Sequence, residues 1–159
     1  MKSLKKYIAL LPFAFLLHNI EEVFYIDKVK IPLFEQFAFD LPQFIIAVTF
    51  FSILGFMLVF GKNLYRNERA YQYGITGFSG MLFLNAILSH ILPFTYYRIY
   101  LPGIVTALLL TLPLSGYLLW KIYQSRLFST KQLLLAILIG GVLGMALLLL
   151  FRLIFFVLS

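Results

Sequence analysis

Charged residues fall in short clusters along this chain, separated by long apolar runs. Four runs, 41–61, 70–97, 99–120 and 132–151, contain no Asp, Glu, Lys or Arg. A helix crosses the hydrocarbon core with about 20 apolar residues at about 1.5 Å each, so every one of these is long enough to span. A fifth run is shorter. From Tyr7 it is charge-free only to Ile20, and then meets Glu21 and Glu22. Extending it through Ile26 gives it spanning length and takes both carboxylates into the membrane. The pattern predicts an all-α integral membrane protein of about five transmembrane helices, over approximately 7–26, 41–61, 70–92, 101–121 and 132–153. No internal repeat divides it, so residues 1–159 form a single domain.

Composition agrees. Hydrophobic residues make up 62% of the chain and charged residues 12%, about half of what a water-exposed surface needs. Disordered chains lack the Phe, Leu and Ile that dominate here. Without cysteine there is no disulfide scaffold, thiolate metal site or Cys nucleophile. The net charge of +7 comes from basic clusters between spans rather than from one basic face, so no nucleic-acid partner is expected. Lys2, Lys5 and Lys6 precede the first apolar run as they would in a signal peptide, but no small-x-small cleavage site follows. The first run is expected to stay as a helix.

The basic residues also orient the bundle. Lys2, Lys5, Lys6, Lys62, Arg66, Arg69, Lys121, Arg126 and Lys131 fall on one side, against Lys28, Lys30, Arg98 and Arg152 on the other. By the excess of Lys and Arg in cytoplasmic loops, the N-terminus is expected in the cytoplasm and the C-terminus outside. The expected location is the bacterial cytoplasmic membrane, with membrane lipids as partners and room for a homo-oligomer.

Ionisable groups at membrane depth are costly unless paired, and so mark candidate functional sites. In the first helix His18, Glu21 and Glu22 stand at i, i+3 and i+4, which places both carboxylates beside the imidazole. The third helix carries Asn85 and His90. Both helices run outward in this topology, and both sets lie in their outer halves. One intramembrane site open toward the outer face is expected.

These residues carry a resemblance. His18-x-x-Glu21-Glu22 near the start of a small polytopic membrane protein resembles the signature of the HXXEE-domain proteins. Asn85-x-x-x-x-His90 and Tyr100-Leu-Pro102-Gly103-Ile-Val-Thr106-Ala107 are similar to the family's later motifs, and together they cover about residues 10–110. The resemblance implies an uncharacterised family for which an enzymatic role is suspected from its polar motifs.

Two imidazoles and two carboxylates form the ligand set of non-cysteine zinc sites and of two-His-one-carboxylate iron sites. His18 and Glu22 can present two ligands on one helical face, and His90 a third, to a divalent metal such as zinc or iron. Glu21, turned about 100° away, is then free to act as general base, and Asn85 to orient a ligand or a substrate carbonyl. This makes a metal-dependent hydrolase of a lipid or amphiphile the leading expectation. One geometric difficulty stands: five residues subtend about 140° on an ideal helix, so Asn85 and His90 share a face only if the turn near Pro93 is a π-bulge or unwound. Three other readings use the same atoms: a metal-free acid–base site, a small transporter or proton-coupled binding protein, and structural pairing.

Secondary features have plainer readings. Arg152 is expected at the outer interface, snorkelling or paired with Glu21 or Glu22. Gly74, Gly77 and Gly80, and the pair Gly140 and Gly144, predict close helix contacts, the first set being expected to bring helix one near Asn85. Pro12 and Pro113 predict kinks. The aromatic loop with Pro32, Phe34, Phe37 and Phe39 reads as a lid or interfacial segment, and Tyr96, Tyr97 and Tyr100 as an interfacial belt.

Overall fold

We describe the protein from a computed structural model over residues 4–28 and 40–158. The described residues hold five helices long and apolar enough to cross a membrane, and no strand. Helix α1 is Lys5–Tyr25 and α2 is Leu41–Phe60. Helix α3 runs Glu68–Tyr97, α4 Ile104–Gln124 and α5 Thr130–Leu158. The expected aromatic lid, with Pro32, Phe34, Phe37 and Phe39, lies outside the described residues.

Local chemistry explains the ends. The Asn67 side chain accepts the Ala70 N–H at 2.9 Å and caps the start of α3. Pro42 sits in the first turn of α2, where its missing N–H has no helical partner to lose. Between α3 and α4, Arg98 takes a left-handed conformation at φ 56° and Gly103 another at φ 84°, which reverses the chain in a few residues. Pro12 leaves α1 unbroken. The two later prolines behave differently. Each stands just after a π-helical stretch, Ala86–Ile91 before Pro93 and Ala107–Thr111 before Pro113. A missing N–H frees a carbonyl four residues earlier, and widening the turn is one way to absorb it.

Apolar burial between helices gives little net drive when lipid is equally apolar, so association rests on close fit and polar clips. The buried core joins Leu11 and Phe15 of α1, Ile75, Phe78 and Leu82 of α3, and Leu118 and Ile122 of α4. Gly77 meets Gly140 backbone to backbone, and a Cβ on Gly80 would stand 2.6 Å from Ile137 Cα. The small-residue stripe of α3 therefore seats α5. Helix α1 does come near Asn85, as the sequence suggests, with His18 Nε2 3.3 Å from Asn85 Nδ2, but the stripe is not its contact. Helix α1 is held instead by α2, where Asn19 Nδ2 donates to Ser52 Oγ at 2.9 Å, and by α4. The buried hydroxyls of Thr76, Ser79, Thr111 and Ser115 donate to carbonyls of their own helices. They let α3 and α4 approach without leaving an unpaired donor.

Candidate functional site

The site forms where α1, the π-helical turn of α3 and the start of α4 meet. His18 and Glu22 project from adjacent turns of α1, with His18 Nε2 and Glu22 Oε1 3.6 Å apart. His90 Nε2 comes from α3 to 3.5 Å from the same carboxylate oxygen. The two imidazole rings meet edge to face, centroids 4.6 Å apart. Asn85 Nδ2 stands between them, 3.3 Å from His18 Nε2 and 3.4 Å from His90 Nε2. Four polar atoms from two helices thus face a common point. His18 and His90 are buried, and the Glu22 side chain keeps 19% exposure.

Asn85 and His90 share this face because Ala86–Ile91 is π-helical. An α-helical turn would set residues five apart about 140° from each other; one closed by i to i+5 bonds brings them to the same side. The Leu92 N–H bonds the Ile87 carbonyl, five residues back, in keeping with this geometry.

The group is roofed by Gly103. A Cβ at this position would stand 2.8 Å from His18 Cε1, 2.9 Å from Glu22 Cγ and 2.9 Å from His90 Cε1. Only a residue without a side chain lets the loop lie on all three. Its left-handed φ makes the same demand independently.

Glu21 faces elsewhere. Its Oε2 accepts the Thr106 N–H at 2.7 Å and the Thr106 hydroxyl at 2.6 Å, and its Oε1 accepts the Tyr100 hydroxyl at 2.6 Å and the Val105 N–H at 3.2 Å. It is the carboxylate that satisfies the start of α4, where orphan N–H groups and the helix dipole favour negative charge. The free general base expected from the sequence is not what this geometry presents, because four donors already occupy its two oxygens. Burial, and then the bond to Glu21, push the Tyr100 phenol above its ordinary range, so Tyr100 remains a donor.

Thr106 connects the two carboxylate environments, its Oγ1 lying 3.0 Å from His18 Nδ1. Sequence reasoning assigned no part to Thr106 and read Tyr100 only as an interfacial aromatic. Their signal was the Tyr100–Ala107 motif, whose function in the fold is to bring a helix start against Glu21. Arg152, named from the sequence as a partner for Glu21 or Glu22, is half-buried on α5. Its neighbour Phe151 packs on Phe50 and Phe51 of α2. The partners described for the two carboxylates are those of α1, α3 and α4.

Among the described residues, His18, Glu22 and His90 are a set whose potential ligand atoms lie within 4.8 Å of one another, and the three can in principle hold a metal ion. The donor chemistry suits zinc or a similar divalent ion.

A family described as "Protein of unknown function with HXXEE motif" matches residues 9–118, which include His18, Glu21, Glu22, Asn85, His90, Tyr100, Gly103 and Thr106. The uncharacterized protein YrkK of Bacillus subtilis (strain 168) is 29% identical over 145 residues, covering 89% of this chain and 90% of that protein. No solved structure matches.

Proposed function

The chain belongs to the family of proteins of unknown function with the HXXEE motif, and we propose that it is a membrane-embedded, metal-dependent hydrolase acting on a lipid or amphiphile. His18, Glu22 and His90 are the proposed ligands, with Asn85 as fourth ligand or substrate-orienting group. One observation carries this reading. Donors about 2.0–2.2 Å from a tetrahedral zinc stand roughly 3.3–3.6 Å from each other. Four of the six separations among Asn85, His18, His90 and Glu22 are 3.3, 3.4, 3.5 and 3.6 Å, and the ligand atoms of His18, Glu22 and His90 all lie within 4.8 Å of one another. Those lengths are too long for strong hydrogen bonds and suit the edges of a coordination polyhedron. The Asn85 amide presents either nitrogen or oxygen to the same point by a half-turn of its side chain.

A divalent cation held there supplies a Lewis acid to a carbonyl or phosphoryl oxygen. The chain's own residues hold and enclose it. Gly103 shields the group on one side, and Glu21 fixes α4 against α1. The amphiphile is suggested by an apolar groove of about 410 Å³ between α1 and α4, lined by Leu10, Phe13, Leu17, Leu109 and Leu114 among others. Leu17 is the neighbour of His18, so a chain lying in the groove brings its head to the depth of the site. With the orientation read from the basic residues, that substrate enters from the outer leaflet of the bacterial cytoplasmic membrane.

The test is metal content by mass spectrometry on detergent-purified protein carrying a non-histidine tag, beside His18→Ala and His90→Ala. About one ion per chain, lost in both folded variants, is the expected result, to be followed by a lipid-hydrolysis screen. Folded wild type that takes up neither zinc nor iron when these are added back would overturn the metal reading. The same cluster would then serve proton exchange, in an acid–base enzyme or a proton-coupled binding protein or transporter. The buried hydroxyls of α3 and α4 favour the enzyme over the transporter, since they are turned onto their own helices instead of lining a polar path.

A further inference from the structure

We propose that Glu21 is a positioning residue that acts through Thr106 to set the tautomer of His18, holding the proton on Nδ1 and baring Nε2 toward Glu22, Asn85 and His90. The part concerning metal affinity rests on the function proposed above; the tautomer does not.

Glu21 Oε2 receives the Thr106 N–H at 2.7 Å and the Thr106 hydroxyl at 2.6 Å. Oε1 receives the Tyr100 hydroxyl and the Val105 N–H. Every bond is one that an ionised carboxylate accepts. A hydroxyl has a single proton, and the short bond to Glu21 commits that of Thr106. At 3.0 Å from His18 Nδ1, the Thr106 oxygen can then only accept, so Nδ1 must carry the hydrogen. The Gly103 carbonyl is a further acceptor for the His18 ring. Neutral imidazole has one N–H, so its Nε2 is left with a lone pair. That nitrogen lies 3.3 Å from Asn85 Nδ2 and 3.6 Å from Glu22 Oε1.

The arrangement matches what metal-binding histidines generally require, a second-shell acceptor on the far nitrogen that fixes tautomer and ring orientation. Here a threonine hydroxyl relays the carboxylate. The adjacent glutamates of the motif therefore have separate duties: Glu22 meets the imidazoles directly, and Glu21 sets one of them from behind while capping α4.

Nitrogen-15 NMR of histidine-labelled protein, metal-free in detergent at a pH above the ordinary histidine pKa of about 6.5, reads the tautomer directly. The chain has two histidines, so His90→Gln assigns the signals. The expected result is a protonated Nδ1 and a bare Nε2 on His18 in the wild type. Thr106→Val, which keeps size and backbone donors, should reduce the Nδ1–H population to a mixture, and Thr106→Ser should retain it. Glu21→Ala, which releases the Thr106 proton toward the ring, should shift His18 the same way as Thr106→Val; the valine variant decides the question if the alanine variant does not fold. A bare Nδ1 in the wild type, or a tautomer unmoved by Thr106→Val, would overturn the assignment, the latter giving the role to the Gly103 carbonyl alone. Zinc titration supplies the second arm: Thr106→Val should weaken binding by roughly 10–100-fold, with Thr106→Ser within a few-fold of wild type. A wild type that binds no zinc but shows the Nδ1–H tautomer would sink the metal reading and leave the relay standing; zinc binding unchanged in Thr106→Val would remove the relay's effect on the metal.

Discussion

Asn85 and His90, five residues apart in sequence, bring their side chains within 3.4 Å of each other on one face of α3. The π-helical turn between them is responsible, and it contains one residue more than an α-helical turn needs. Removing that residue leaves the flanking helix in register and makes the two side chains four apart, which is the same face of an α-helix. Deletion of Leu88, which is 56% exposed, is therefore expected to preserve folding and keep zinc affinity within about tenfold. Insertion of one Ala after Leu88 should abolish binding, because it turns His90 away by about 100°. Calorimetric zinc titration of the two variants checks both outcomes.

Gly103 carries two independent demands, a left-handed backbone and contact with three site residues. Gly103→Ala should cost about 1–2 kcal/mol from conformation alone and also push His18, Glu22 and His90 apart. Thermal unfolding and zinc titration should both deteriorate, the affinity by tenfold or more. An unchanged affinity would show that the loop does not rest on the group.

The contact between α3 and α5 is testable away from the site. A Cβ on Gly140 would run into the backbone of Gly77, whereas one on Gly116 meets only Phe83 Cε2 at 3.4 Å. Gly140→Ala should lose about 1–3 kcal/mol, and Gly116→Ala should be neutral or gain slightly from helix propensity. Thermal unfolding in one detergent gives the comparison.

Tyr100 provides a pH dependence. Burial and its bond to Glu21 raise the phenol above its ordinary pKa, so the protonated form is favoured in the folded protein. The stability this contributes is complete below about pH 10, the unfolded value, and is lost as pH rises through the folded one. Tyr100→Phe should cost about 1 kcal/mol near neutrality, and the gap from wild type should close at strongly alkaline pH. Unfolding curves at matched pH values decide it; a gap that widened with pH would contradict the sign.

Hydrophobic blocks alone determined the five helices, because burying a backbone in lipid requires some 20 consecutive apolar residues and that requirement is local. The spacing of His18 and Glu22 made one face of the site legible for the same reason: four residues is a property of any α-helix. Asn85 and His90 were legible as candidates, and as neighbours only on the condition of a π-bulge or unwound turn near Pro93. Their meeting depends on a π-helical turn, which the regular period of a helix does not encode, though Pro93 marks where it forms. The duty of Glu21 was beyond sequence reasoning altogether. Helical spacing separates it from Glu22 by about 100°, but only the arrival of Thr106 and Tyr100 from 79 or more residues away shows what it meets. The same holds for Gly77 and Gly80, whose small size announces a close contact without naming the partner. Spans and candidate side chains follow from short-range rules of length and period. The partner that each side chain meets is set by which helices pack together, and that is decided by the whole bundle at once.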